Sequence, residues 1–127
     1  LRRESLSGTG KSNAKPFGVA ARNGIKEVYT RNARNRNIVW DLSDEEFDSL
    51  ITSSCVYCGE IPSRVFKKSE NTGFFIYGGI DRVNSALGYT EGNAVPCCWQ
   101  CNRMKSAMGV RDFLSHIQKI YRHNNEE

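Results

Sequence analysis

Two pairs of cysteines carry the clearest chemistry in this chain, Cys55-Val-Tyr-Cys58 and Cys98-Trp-Gln-Cys101. Two residues between cysteines let one tight turn aim both sulfurs at a single ion, and zinc takes four such ligands tetrahedrally at about 2.3 Å. Gly59, directly after the first pair, relieves that turn. Cys55, Cys58, Cys98 and Cys101 are therefore expected to hold one structural Zn²⁺. A redox pair or a pair of buried thiols would account for one C-x-x-C but not for two. A disulfide framework would want an even number of cysteines, and the chain has five. Metal-binding thiols instead imply an intracellular, reducing compartment. Cys97 is the odd one; its side chain should point away from that of its neighbour and act as a small core residue. His116 and His123 read as surface or packed histidines rather than ligands.

Charge is the second signal. Residues 1–37 hold nine Lys and Arg against two acids, a net of +7, and residues 38–127 hold nine against twelve, a net of −3. Such a split implies an anionic partner. Nucleic acid is favoured over membrane, because the basic segment has no apolar face to lay on lipid. Lys26, Arg31, Arg34 and Arg36 fall on or near one helix and can face phosphates. The run GTGKS at 8–12 has the end of a phosphate-binding loop, but Ser5 stands where that motif needs glycine and no strand precedes it. No apolar run approaches the roughly 20 residues of a membrane span.

These residues need elements to position them. A chain of 127 residues suits one domain, and at that length a core buries only about two-thirds of the unfolded surface, so an added staple is expected. Leu rather than Met at position 1 reads as a fragment or a processed product. Residues 1–18, rich in Gly, Ser and Lys, read as a flexible basic arm, and 19–127 as the folded domain. A helix is expected over 19–36, then a short extended piece at Val39-Trp40. Ser43-Asp-Glu-Glu46 is a capping box that starts a helix over 44–52 burying Phe47, Leu50 and Ile51. Residues 74–84 read as one strand, with Phe74-Phe75-Ile76-Tyr77 buried. Turn signals follow at 88–93, then a second strand at Ala94-Val95-Pro96 and a helix from about 101 to 108. Gly109 breaks it. The last helix, 110–122, places Val110, Phe113, Leu114, Ile117, Ile120 and Tyr121 on one face. There is no internal repeat.

Between the cysteine pairs the chain resembles a known family. Gly79-Ile-Asp81-Arg82-Val-Asn84, Gly88-Tyr89-Thr90, Asn93, Val-Pro-Cys-Cys98 and Cys101-Asn102-Arg103-Met-Lys105-Ser106 are similar in order and spacing to the ββα-metal core of HNH endonucleases. Phage-type HNH proteins and restriction endonucleases of the PacI type share this order. The likeness runs from Cys55 to about Ser106, and a weaker one (Tyr29-x-x-Asn-Ala-Arg, then Trp40-x-Leu-Ser-x-x-x-Phe47) extends it N-terminally. The resemblance implies an α+β fold, a small zinc-stapled ββα-metal (HNH or His-Me finger) core over about 74–108 with flanking helices. It implies a hydrolase that cuts DNA phosphodiester bonds with Mg²⁺ or another divalent cation, as phage, homing or restriction enzymes do. Asp81 and Asn102 map onto its cation ligands, hard oxygen donors of the kind magnesium prefers, and Asn93 onto the residue that braces the loop. Arg103 and Lys105 would flank the cation and add to the nucleic-acid-binding set.

One position departs from the common pattern. The histidine that activates water in most of the family is Arg82 here, and a guanidinium cannot accept a proton. It can bind phosphate through two N–H groups. In the PacI type the same arginine occurs, and a tyrosine matching Tyr89 starts cleavage, so Tyr89 is implied as the group that activates the nucleophile or is itself the nucleophile. The partner implied is double-stranded DNA, and a homodimer or a larger complex is compatible with the class. The alternative is a catalytically inactive, zinc-containing nucleic-acid-binding or ribonucleoprotein structural module on the same fold.

Overall fold

In the computed structural model, residues 18–67 and 73–125 are described. The basic arm, apart from Gly18, and the GTGKS run lie outside the described residues. Helix α1, Val19–Asn35, follows the expected span and buries Ala21, Ile25 and Ala33 on one side. It ends where Asn37 turns into the left-handed region at φ 56° and Ile38 N–H returns to the Ala33 carbonyl at 2.8 Å. Strand β1 is Trp40–Asp41. Helix α2, Asp44–Thr52, is started by the capping box: Glu46 N–H donates to Ser43 Oγ at 3.1 Å and Ser43 N–H to Glu46 Oε1 at 2.8 Å. Three acids in its first turn face the positive end of the helix dipole. Phe47 and Ile51 are fully buried and Leu50 packs beside them.

Five further strands follow: β2 (Arg64–Lys67), β3 (Phe74–Tyr77), β4 (Gly79–Arg82), β5 (Tyr89–Thr90) and β6 (Ala94–Cys97). The single strand expected over 74–84 is two. It breaks at Gly78, whose N–H donates to the Ile51 carbonyl of α2 at 2.6 Å. Before the break β3 pairs antiparallel with β2; after it β4 pairs antiparallel with β6, Asp81 opposite Val95. The segment 74–77 is also not buried throughout. Phe75 and Tyr77 pack on the core, while Phe74 and Ile76 face outward, because side chains alternate along a strand and this hairpin has only one covered face.

Helix α3, Trp99–Lys105, starts two residues earlier than expected and stops at Ser106, which takes φ 53°. Helix α4, Val110–Asn125, has one side chain fully buried, Phe113. The rest of its expected apolar face is more open than foreseen: Leu114 is 47% and Tyr121 65% exposed. Helical periodicity fixes which side chains share a face, not that another element covers them. The architecture is α+β: β4, β6 and α3 make the ββα core, and α1, α2 and α4 flank it. Ile25, Leu42, Phe47, Ile51, Ile80 and Ala94 form the main core, with Tyr29, Trp40 and Tyr89 against it.

Candidate active site and cysteine cluster

The first cysteine turn closes through Gly59 N–H to the Cys55 carbonyl and Cys55 N–H to the Glu60 carbonyl, both 2.9 Å. Gly59 sits at φ +82°, where a side chain would be strained. Val56 N–H donates to the Pro96 carbonyl at 2.9 Å, pinning this turn to β6. The second turn is the start of α3, where Cys98 Sγ caps the helix by accepting from Cys101 N–H at 3.3 Å. The four sulfurs lie within 4.8 Å of one another, and Cys58 and Cys98 Sγ are 3.7 Å apart. Sulfurs tetrahedral about a zinc at 2.3 Å would be separated by about 3.8 Å. Burial opposes ionisation of Cys55, yet backbone N–H groups of Cys98, Cys58 and Tyr57 bring its thiol down to about 6. Burial, with the neighbouring sulfurs, pushes Cys101 up. Four thiols this close cannot all ionise unless a cation joins them, and these four can bind zinc. Cys97 is buried, turns its Sγ toward the Cys98 carbonyl at 3.4 Å and stays outside the group. His116 and His123 are exposed on α4 and are not among the four grouped ligands.

A cleft of about 280 Å³ opens beside the ββα unit, lined by Arg36, Asp81, Arg82, Tyr89, Asn102 and Ser106 among others. A larger cavity of about 420 Å³ lies by the cysteines between Ser53, Pro62, Tyr77 and Gln100. None of the expected catalytic residues lines it, so the smaller cleft is the candidate site.

Each side chain in the cleft is held by the fold. Asp81, in the middle of β4, is only 5% exposed. Its Oδ2 accepts from the Tyr57 hydroxyl at 2.8 Å and from Lys105 Nζ at 3.1 Å. Asn102 donates Nδ2–H to the Ile80 carbonyl of β4 at 3.3 Å. Arg82 donates through Nη1 to the Ser85 and Leu87 carbonyls at 2.7 and 2.9 Å, and its guanidinium lies 5.5 Å over the Tyr89 ring. Tyr89 packs against Trp40 at 5.2 Å and Tyr29 at 6.4 Å between ring centres. Strand β5, which carries it, runs parallel to β1, and Tyr89 N–H donates to the Val39 carbonyl at 2.8 Å. Gly88 permits that approach, since a Cβ there would sit 2.7 Å from the Val39 oxygen. Asn93 is buried and ties the intervening loop to itself. Its Oδ1 accepts from Asn84 N–H at 2.9 Å, and Nδ2 donates to the Asn84 and Gly88 carbonyls at 3.2 and 2.8 Å.

The basic residues separate into distinct places. Arg36, just past α1, reaches the cleft. Lys26 is paired with Asp44 at the start of α2. Arg31 and Arg34 are exposed on α1. Arg103 stacks 4.7 Å over the exposed Trp99 ring on α3. Lys105 corrects the sequence reading: it is 0% exposed, with its ammonium on Asp81 and on the Arg82 carbonyl at 3.3 Å. A buried cation satisfied by a carboxylate cannot meet a phosphate in solvent.

Two residues that support the site were given no role in the sequence reading. Tyr57 lies inside the first cysteine turn, and burial first, then its bond to Asp81, push its phenol up. Tyr29 accepts from Ile80 N–H through its hydroxyl at 3.2 Å, and burial pushes its phenol up to about 12. An aromatic residue within C-x-x-C was visible in the sequence, but a partner 24 positions away was not.

No family model matches the chain. Over 86 residues, 68% of its length, it is 34% identical to the uncharacterized protein R423 of Acanthamoeba polyphaga mimivirus; the matched stretch covers 14% of that protein. In structure it is similar to the rare-cutting HNH restriction endonuclease PacI, with a TM-score of 0.54 and 20% identity over 80% of this chain and 79% of that one. The fold is therefore HNH-like. Among the described residues no helix is long and apolar enough to cross a membrane.

Proposed function

We propose that this chain is a metal-dependent HNH-type endonuclease that hydrolyses phosphodiester bonds of double-stranded DNA. Residues 19–127 would act as the nuclease domain and 1–18 as a basic arm. The observation that carries this reading is the meeting of Asp81, Arg82, Tyr89, Asn102 and Arg36 in one polar cleft. The residues fit a divalent cation. Asp81 keeps Oδ1 beyond the contacts on Oδ2, Asn102 spends its amide nitrogen on Ile80, and both offer hard oxygen donors. When bound by Asp81 and Asn102, Mg²⁺ would offset the charge that builds on the phosphate.

The remaining work falls to the protein's own groups. Both loop bonds of Arg82 use Nη1, so Nη2 and Nε remain to meet phosphate oxygens. Arg36 adds a second guanidinium at the rim. Tyr89 is the group for the nucleophile: with its own proton passed to solvent, its oxygen takes a proton from the water that attacks phosphorus, or attacks phosphorus itself; in both cases the bond from phosphorus to the leaving deoxyribose oxygen breaks, and in the second water then hydrolyses the tyrosyl phosphoester. The aromatic wall of Trp40 and Tyr29 fixes the ring while Arg82 covers it. Asn102→Ala should abolish cleavage while zinc content and DNA binding stay near normal, and Asp81→Ala should abolish it too, with a lower unfolding midpoint because Lys105 loses its buried partner. Tyr89→Phe should cut at least about a hundredfold more slowly. Normal rates in the Asp81 or Asn102 variant would move the cation elsewhere.

One observation favours the second reading, an inactive DNA- or RNA-binding module. Lys105 already neutralises Asp81 from within the protein. In that case the zinc-loaded chain would bind nucleic acid and leave it uncut under every divalent cation.

A further inference from the structure

The Tyr57 hydroxyl bridges the two metal-related parts of the molecule. Its ring stands between two zinc-ligand candidates, Cys55 and Cys58, and packs edge-on against Phe113 of α4 at 5.6 Å and 83°. Its hydroxyl leaves that cluster and donates to Asp81 Oδ2 at 2.8 Å. Lys105 Nζ reaches the same oxygen at 3.1 Å from α3. A carboxylate on a strand can rotate about its last torsion, which is broad for this kind of bond. Two donors on one oxygen fix that rotation and leave Oδ1 as the end to face a ligand. The donors come from two elements that the cysteine cluster joins: the Cys55–Cys58 turn and the helix begun by Cys98.

From this geometry we infer that Tyr57 is a positioning residue for the cleft cation, holding Asp81 so that closure of the cysteine turn sets the affinity of the second, catalytic ion. The inference rests on the reading of Asp81 as a cation ligand. Tyr57 touches neither the phosphate nor the ion. Its effect passes through the carboxylate, as hydrogen-bond partners of metal ligands act elsewhere, where their loss typically costs 10–100-fold in metal affinity or activity. Lys105 alone does not fix the carboxylate in the same way, because an ammonium can follow a rotating carboxylate whereas a phenol anchored in a turn cannot.

The test is Mn²⁺ binding, followed by the electron-paramagnetic signal of the free ion, on the full zinc-loaded chain. Wild type, Tyr57→Phe and Asp81→Ala are compared, with zinc content and thermal unfolding measured alongside. Tyr57→Phe keeps the ring and its contact with Phe113 and removes only the donor. The expected result is one zinc per chain, a small drop in the unfolding midpoint from the lost hydrogen bond, and Mn²⁺ affinity lowered by about tenfold, with Asp81→Ala showing no cleft binding. In cleavage, the Mg²⁺ concentration for half-maximal rate should rise by a similar factor while the rate at saturating Mg²⁺ falls less. Mn²⁺ affinity in Tyr57→Phe equal to that of wild type overturns the inference and leaves the cleft reading standing. Equal Mn²⁺ binding in wild type and Asp81→Ala overturns both. Loss of zinc from Tyr57→Phe would also overturn it, since the tyrosine would then serve the turn and not Asp81.

Discussion

Lys105 has the most consequential single environment in the molecule. Its ammonium is fully buried with Asp81 Oδ2 and the Arg82 carbonyl as partners. Breaking such a pair strands a buried charge, a loss of roughly 3–5 kcal/mol. Lys105→Met keeps most of the volume and leaves Asp81 with only the Tyr57 hydroxyl, so a loss near the low end, about 3 kcal/mol, is expected as a lower urea midpoint. A variant as stable as wild type would mean that Asp81 is held by other groups. At this scale the sequence was legible wherever chemistry follows from residue type and spacing. The cysteine pairs are grouped by sulfurs within 4.8 Å. Asp81, Arg82, Tyr89 and Asn102, expected from the family resemblance, line one cleft. What could not be read was which polar groups a buried side chain consumes. Lys105 looked like one more surface cation because nothing local marks it as buried; its burial comes from packing α3 against β4.

At the scale of elements, the capping box of α2 was legible because it depends on residues three apart. The break of 74–84 at Gly78 was not, because its cause is a carbonyl of α2. Tyr29 shows how elements are tied across such distances: from α1 its hydroxyl takes the Ile80 N–H of β4. Burial raises this phenol from 10.0 to about 12. The unfolded chain therefore releases the proton near pH 10 while the folded chain keeps it to about pH 12. The stabilising effect is complete below pH 10 and is lost as pH rises through 12, amounting to about 3 kcal/mol at most. Burial raises Tyr57 as well, so both act in the same direction. Tyr29→Phe should lose about 1 kcal/mol at neutral pH, because Ile80 N–H loses its acceptor, and should flatten the fall in unfolding free energy between pH 10 and 12. Urea titrations across that range check it, and an unaltered slope in the variant would assign the alkaline loss to other groups. The open face of α4 belongs here too: its apolar spacing was legible, the exposure of Leu114 and Tyr121 was not.

The molecule as a whole joins a cysteine cluster to a cleft through β6, α3 and the first cysteine turn. Zinc binding and folding should then be one event. Cys58→Ala is expected to be largely unfolded by circular dichroism and to retain little zinc, whereas a folded, zinc-free variant would separate the two. If the proposed function holds, the uneven charge should make DNA binding weaken steeply with salt, with a log–log slope of about −0.9 for each phosphate neutralised. Arg36 stands at the cleft, and Arg36→Ala should reduce that slope by about 1; Lys105 should contribute nothing to it. The overall α+β arrangement was legible through the family resemblance that the motifs carry, whereas the division of the basic residues among cleft, surface and interior required the packed structure. The central claim is that the Asp81–Asn102 cleft cuts DNA with a divalent cation. It is tested most directly by incubating zinc-loaded wild type with supercoiled plasmid in Mg²⁺, in EDTA, and in Mg²⁺ with the Asp81→Ala variant. Conversion to nicked or linear plasmid in the first case only is the predicted result. DNA that is bound but stays supercoiled across Mg²⁺ and Mn²⁺, or cleavage that persists in EDTA or in Asp81→Ala, would contradict it.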